Sequence, residues 1–78
     1  MWHVYILECA DGRLYTGVTT DLARRLKEHQ QGKGAKFTRA FGADGFCHTE
    51  TCPDRGAALR REAQIKKMSR LQKLDLIL

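Results

Sequence analysis

The sequence predicts a small α+β domain with its elements in the order ββαβαα. Three observations carry that reading. Two short runs rich in β-branched and aromatic residues, Trp2–Leu7 and Leu14–Val18, are joined by Ala10-Asp11-Gly12-Arg13. Asp-Gly between two such runs signals a hairpin with a primed turn, because Gly accepts the positive φ that this turn demands. Helical periodicity then appears twice, after Asp21 and after Asp54, with Phe46–Thr51 between them as a third strand of only fair alternation.

The first helix is LARRLKEHQQG, capped by Thr20 or Asp21 and stopped at Gly32. Leu22, Arg25, Leu26 and His29 fall at i, i+3, i+4 and i+7, one helical face. Arg25 and His29 therefore lie on or beside the stripe that meets the protein, where polar groups need partners. Periodicity alone is equally compatible with a polar boundary row that only packs. Arg24, Lys27 and Glu28 point further round, towards solvent.

The second helix runs from Arg55 to about Met68, with Asp54 as its cap. Ala58, Leu59, Glu62, Ile65 and Lys66 share a face, so Glu62 stands in the apolar stripe. A carboxylate there is costly unless it is paired, holds a metal or is protonated. A salt bridge to Arg25 or a neighbouring lysine and a metal site both satisfy that requirement. Ser69 caps a short final helix whose apolar positions are Leu71, Leu74 and Ile77.

Seventy-eight residues make one domain, 1–78, with 42% hydrophobic residues for a core. No apolar run approaches the ~20 residues that span a bilayer. Cys9, Cys47 and Cys52 are odd in number and fit no zinc spacing, which points to reduced thiols in a cytoplasmic protein. The formal charge is +5 and the isoelectric point about 9.5, so polyanions are the natural partners. Between Leu59 and Lys73 six basic residues, including Arg61, Lys66 and Lys67, face one acid, Glu62. The loop GKGAKFTR adds Lys33, Lys36 and Arg39 around Phe37, which suits a phosphate backbone and a stacking base as well as it suits a solvated loop. It is not a P-loop, for it lacks the helix-opening Lys-Ser/Thr.

Taken together these residues resemble the GIY-YIG nuclease superfamily, and its small stand-alone bacterial, YhbQ-like members in particular. The first motif corresponds to His3-Val4-Tyr5 and the second to Tyr15-Thr16-Gly17. The helix arginine falls on Arg25, the histidine or tyrosine one turn later on His29, and the late glutamate on Glu62. GKGAKFTR and LRREAQIKK also match. Two departures stand out: His3 replaces the first glycine, and the chain has no asparagine where many members carry one late, leaving Ser69 or Arg70 as substitutes. The resemblance implies a three-stranded antiparallel sheet flanked by helices.

It also implies a Mg²⁺- or Mn²⁺-dependent endonuclease that hydrolyses DNA. The sequence offers no separate DNA-reading segment, so weak selectivity, for single-stranded or branched DNA, is expected, with no membrane and no obligate protein partner. Glu62 would hold the metal, which keeps most of its waters. Arg25 would grip a phosphate oxygen with its permanent charge and forked donors. Tyr5 would take the proton with help from His29, while Tyr15 orients the water or phosphate. A free phenol has a pKa of about 10; Arg25, lysines and the metal are expected to lower it. A nucleic-acid-binding module of the same fold, without catalysis, is the alternative.

Overall fold

A computed structural model describes residues 1–34 and 42–77. Lys36, Phe37 and Arg39 of the basic loop lie outside the described residues. The elements are β1 (Trp2–Glu8), β2 (Leu14–Thr19), α1 (Leu22–Gln30), β3 (Gly45–Cys52), α2 (Arg55–Lys66) and α3 (Arg70–Ile77). The three strands form one antiparallel sheet in the order β2-β1-β3, with β1 central. The chain is thus α+β with the order ββαβαα.

Because side chains alternate across a strand, β1 feeds two separate layers. Val4 and Ile6 pack with Cys52, Ala58 and Ile65, so this face is covered by α2. Leu76, Ile77 and Met68 close its margin. Tyr5, Leu7 and Cys9 point the other way, against Leu22 and Leu26 of α1 and against Tyr15 and Phe46.

The hairpin turn differs from the expected primed form. Gly12 does have positive φ, +88°, but Asp11 does not, as a type I′ turn would require. Cys9 N–H donates to Arg13 O at 2.8 Å and Gly12 N–H to Cys9 O at 2.9 Å. The loop is therefore Ala10–Gly12, three residues, closed by Cys9 and Arg13. A tight turn followed by a left-handed glycine is the usual solution at that length. Asp11 fastens it by accepting from Arg13 N–H at 3.1 Å.

Asp21, not Thr20, caps α1, accepting from Arg24 N–H at 3.0 Å. At the other end Gly32, φ +76°, donates to His29 O, and Lys33 N–H reaches back to Glu28 O at 2.8 Å. This pair of bonds is a Schellman stop, and it turns the chain back over the last turn of the helix.

The fair alternation of β3 has a cause: a bulge. Ile6 pairs with His48 but Leu7 pairs with Phe46, so Cys47 is the extra residue. Phe46 consequently joins the Tyr5 face, whereas His48, Glu50 and Cys52 fall on the α2 face.

Asp54 caps α2 through Ala57 N–H at 2.8 Å, and the helix stops at Lys66 rather than Met68. Its inward row is Ala58, Arg61, Glu62 and Ile65, with Leu59 and Lys66 exposed, contrary to the expected face. The rotation lets Arg61 Nε and Nη2 donate to the two oxygens of Glu50 at 2.8 and 3.1 Å. These bonds hold the Glu50 carboxyl below its ordinary range, and His48 adds a second contact at 2.8 Å.

Ser69 and Gln72 cap α3 reciprocally, each side chain bonding the other's backbone N–H. Leu71 is 76% exposed and Leu74 is also exposed, so Leu76 and Ile77 are the residues that pack, not the expected Leu71–Leu74 row. All three cysteines are free.

Two outcomes follow for stability. The Thr16 hydroxyl is buried on the α2 face with no hydrogen-bond partner among the described residues. Thr16→Val, which keeps the shape, is expected to stabilise the fold by about 1 kcal/mol in denaturant titration. Gly17 pairs with Tyr5 across the sheet, and a Cβ there would overlap the Tyr5 hydroxyl and ring. Gly17→Ala is expected to cost about 2 kcal/mol in the same measurement, with loss of native tyrosine packing in near-ultraviolet circular dichroism.

Candidate active site

Four of the five predicted catalytic residues meet over the α1 face of the sheet. Tyr5 comes from the central strand and Tyr15 from its hairpin partner, one ring diagonal to the other with centroids 6.4 Å apart. Arg25 and His29 descend from consecutive turns of α1, as their i, i+4 spacing requires. The Tyr5 hydroxyl lies 2.8 Å from His29 Nε2 and accepts from Arg25 Nε at 3.3 Å. Tyr15 packs edge-on to the His29 ring at 5.3 Å, and Phe46 closes the far side of Tyr5 at 4.8 Å.

The cluster is layered. Tyr5 and His29 are each 1% exposed, whereas Tyr15 and Arg25 are half-buried. Burial has opposite consequences for the two inner groups, because it disfavours whichever form carries charge. It pushes the Tyr5 phenol above its ordinary value, and Arg25 only partly offsets this. The expected lowering of that phenol is therefore corrected: the desolvation of a phenolate outweighs the nearby guanidinium. Burial pushes His29 below its ordinary 6.5, and repulsion from Arg25 adds to the effect. A neutral imidazole carries its one proton on either ring nitrogen, so the direction of its bond to a neutral phenol follows the tautomer. With Nε2 unprotonated, Tyr5 donates to His29 while its own oxygen receives Arg25.

Two glycines make this packing fit. Gly17 leaves room for the Tyr5 ring, and Gly34, delivered by the Schellman turn, lies so close to the His29 ring that a Cβ would overlap it. Gly34 was missed in the sequence, where it stood only as part of the basic loop GKGAKFTR. The signal available was a second glycine two residues after a helix-stopping one. Phe46 was also missed as a site neighbour, because only the bulge turns it to this face.

Glu62 approaches from the other helix layer. It sits between Ala58 and Ile65, 19% exposed at the side chain, and its carboxylate meets Lys66 Nζ at 3.5 Å. The pairing is thus to a lysine one turn on, not to Arg25, whose Nη1 meets Glu28 at 3.4 Å. Glu62 is still near enough to Tyr5 for its negative charge to push the phenol upward. Of the predicted nucleic-acid contacts, Lys33, Lys66 and Lys67 are exposed. Arg61 is committed to Glu50 by its paired hydrogen bonds, which leaves little of its fork for a phosphate.

A half-buried carboxylate with one long lysine contact is poorly satisfied, and such a group suits a hydrated divalent ion. Among the described residues no three His, Cys, Asp or Glu side chains gather into an all-protein cage. One carboxylate plus waters is the donor set Mg²⁺ tolerates best, since it gives up water reluctantly. The residues present fit that ion.

Comparison with known proteins gives the family and the fold. The GIY-YIG catalytic domain family matches residues 1–75. A UPF0213 protein of Halobacterium salinarum is 51% identical over 73 residues, covering 94% of this chain and 95% of its own. A second, from Desulfotalea psychrophila, is 48% identical over 97% of this chain and 70% of its own. The solution NMR structure of the UPF0213 protein from Bacillus halodurans superposes with a TM-score of 0.62 at 47% identity, covering 99% of this chain and 83% of that one. With the tyrosines on adjacent strands, the arginine and histidine on α1 and the glutamate on α2, the chain belongs to the GIY-YIG nuclease family, among its small UPF0213 members.

Proposed function

We propose that this chain is a divalent-metal-dependent endonuclease that hydrolyses DNA phosphodiester bonds. The observation that carries the reading is the hydrogen-bonded run Arg25–Tyr5–His29, in which a permanent cation, a phenol and a neutral base share one oxygen. A structural tyrosine would need only one partner. A phosphoryl site needs a cation at the rim and a path for a proton behind it.

Arg25 and Tyr15, the half-buried members at the rim, meet the substrate first. The Arg25 fork takes non-bridging phosphate oxygens, and Tyr15 holds the attacking water. The 3.3 Å contact from Arg25 to Tyr5 is long and gives way as the guanidinium turns to the phosphate, opening the Tyr5 hydroxyl to that water. Tyr5 then accepts the water's proton while passing its own to His29 Nε2, so no free phenolate is ever formed. This route suits a phenol whose pKa is raised. Glu62 would hold Mg²⁺ or Mn²⁺, which would supply charge neutralisation and help the leaving oxygen. Lys33, Lys66 and Lys67, with Lys36 and Arg39 of the basic loop, would track the backbone on either side, making binding salt-dependent. The folded chain would work in the cytoplasm, where its thiols stay reduced.

Tyr5→Phe and Glu62→Ala are each expected to lower cleavage of labelled oligonucleotides by about a hundredfold or more, with DNA retained in gel-shift. Full activity in both would sink the proposal. Adding EDTA to the unmodified protein is expected to have the same effect as Glu62→Ala.

The pH dependence has a definite sign. His29 titrates at 6.5 when unfolded and lower when folded. The unfolded chain therefore takes up the proton first, so this group's share of stability is full above 6.5 and lost as pH falls below it. The acid limb of cleavage is expected below 6.5 for the same reason, and His29→Gln should remove it from whatever activity remains. A profile still falling between pH 8 and 7 would count against His29 as the acceptor.

A further inference from the structure

A cleft of about 300 Å³ opens beside the site, between the far end of the hairpin and the start of α1. Its walls include Trp2, Thr19, Thr20, Arg24, Arg25 and Glu28. Arg25 belongs to both places: its Nε meets Tyr5 and its Nη1 meets Glu28. We propose that this cleft binds the unpaired base of the nucleotide next to the scissile phosphate and selects bases that carry an amino group. The proposal rests on the nuclease reading above for the position of the phosphate, and it assigns the substrate class as nucleic acid with a free base at that point.

The chemistry of the walls is that of a base pocket. Trp2 supplies a flat apolar ring, half-buried and held by packing against the α2-side core, so it is ordered before any ligand arrives. Arg55 adds a cation over that ring, 5.9 Å from its centroid. Base–aromatic stacking of this kind tolerates every base. The polar walls discriminate. Arg24 and the Thr20 hydroxyl can donate to carbonyl and ring-nitrogen acceptors, whereas the Thr19 hydroxyl is already given to Asp21 O. Glu28 gives one oxygen to Arg25 and keeps Oε2 to accept. A carboxylate accepts from the exocyclic amines of cytosine, adenine or guanine and opposes the paired carbonyls of thymine.

Size and charge argue against other occupants. The volume is at the bottom of the small-ligand range of about 300–1,000 Å³, enough for one base and not for a stacked pair. The Glu28 oxygen left over from Arg25 asks for a donor, which a base amine offers and a fully ionised phosphate does not. A paired base is stacked between its neighbours and cannot lay its face on Trp2, so a duplex gains nothing from the cleft.

Trp2 is the single tryptophan of the chain, which gives a direct readout. The full-length protein in EDTA is titrated with oligo-dA, oligo-dC, oligo-dT and a blunt duplex. Tryptophan emission reports the cleft, and anisotropy of labelled DNA reports total binding. Single strands are expected to quench Trp2 saturably, with oligo-dT about tenfold weaker, the discrimination of one base-edge contact. The duplex is expected to bind with little quenching. Glu28→Gln should equalise the three single strands, and Trp2→Phe, followed by anisotropy, should keep the preference while weakening all of them.

Anisotropy change without quenching, or equal affinity for all three strands, overturns the proposal. Failure to bind DNA at all overturns it as well. Metal-dependent cleavage with no quenching leaves the nuclease reading standing and removes the base pocket. Selective quenching with no cleavage in Mg²⁺ or Mn²⁺ keeps the pocket and removes the enzyme.

Discussion

The Tyr5 hydroxyl is the constraint on which this small domain turns. It sits on the central strand, under α1, with no bulk water to satisfy it. One oxygen must therefore find its partners inside the protein, and it finds His29 and Arg25. Those partners fix how α1 is rotated and how closely it approaches. The strand opposite must carry no side chain at the facing position, hence Gly17. The end of α1 must fold back without bulk over the imidazole, hence Gly32 and Gly34. A polar atom that would otherwise destabilise the core is thereby turned into its alignment device.

The same constraint sets the electrostatics. A charged pair at this depth would be costly to desolvate. The inner pair is instead neutral, with the permanent charge of Arg25 kept at the rim where water reaches it. This division leaves the inner bond free to shift a proton while the outer charge stays fixed.

What depended on local spacing was legible in the chain. Arg25 and His29 were placed inward by a four-residue interval. Asp54 and Ser69 announced their helices by cap chemistry, and the strand runs either side of Gly12 were plain. What depended on register was not. Gly17 matters because Tyr5 lies opposite, and nothing within YTG says which side chain crosses over it. The turn gained a residue because Cys9 and Arg13 pair, a decision made between strands. The inward row of α3 misled because Leu71, Leu74, Leu76 and Ile77 offer several apolar rows on eight residues, and only the shape of the core selects one. The inward face of α2 was read one step off because Arg61 is drawn to Glu50 on a distant strand.

The bulge at Cys47 lets β3 be read in two frames. Before it, the strand writes to the tyrosine layer through Phe46; after it, the strand writes to the α2 layer through His48, Glu50 and Cys52. Alternation already lets one strand serve both layers, and the single unpaired residue decides which side chains of β3 go to each. Regular pairing from Leu7–Phe46 onward, with Cys47 taken into the ladder, would send every later side chain to the wrong side, placing the Glu50 carboxylate towards the phenols and leaving Arg61 without its anchor. The separation of the proton-handling layer from the layer that carries Glu62 is therefore kept by which residue of β3 is left out of the ladder.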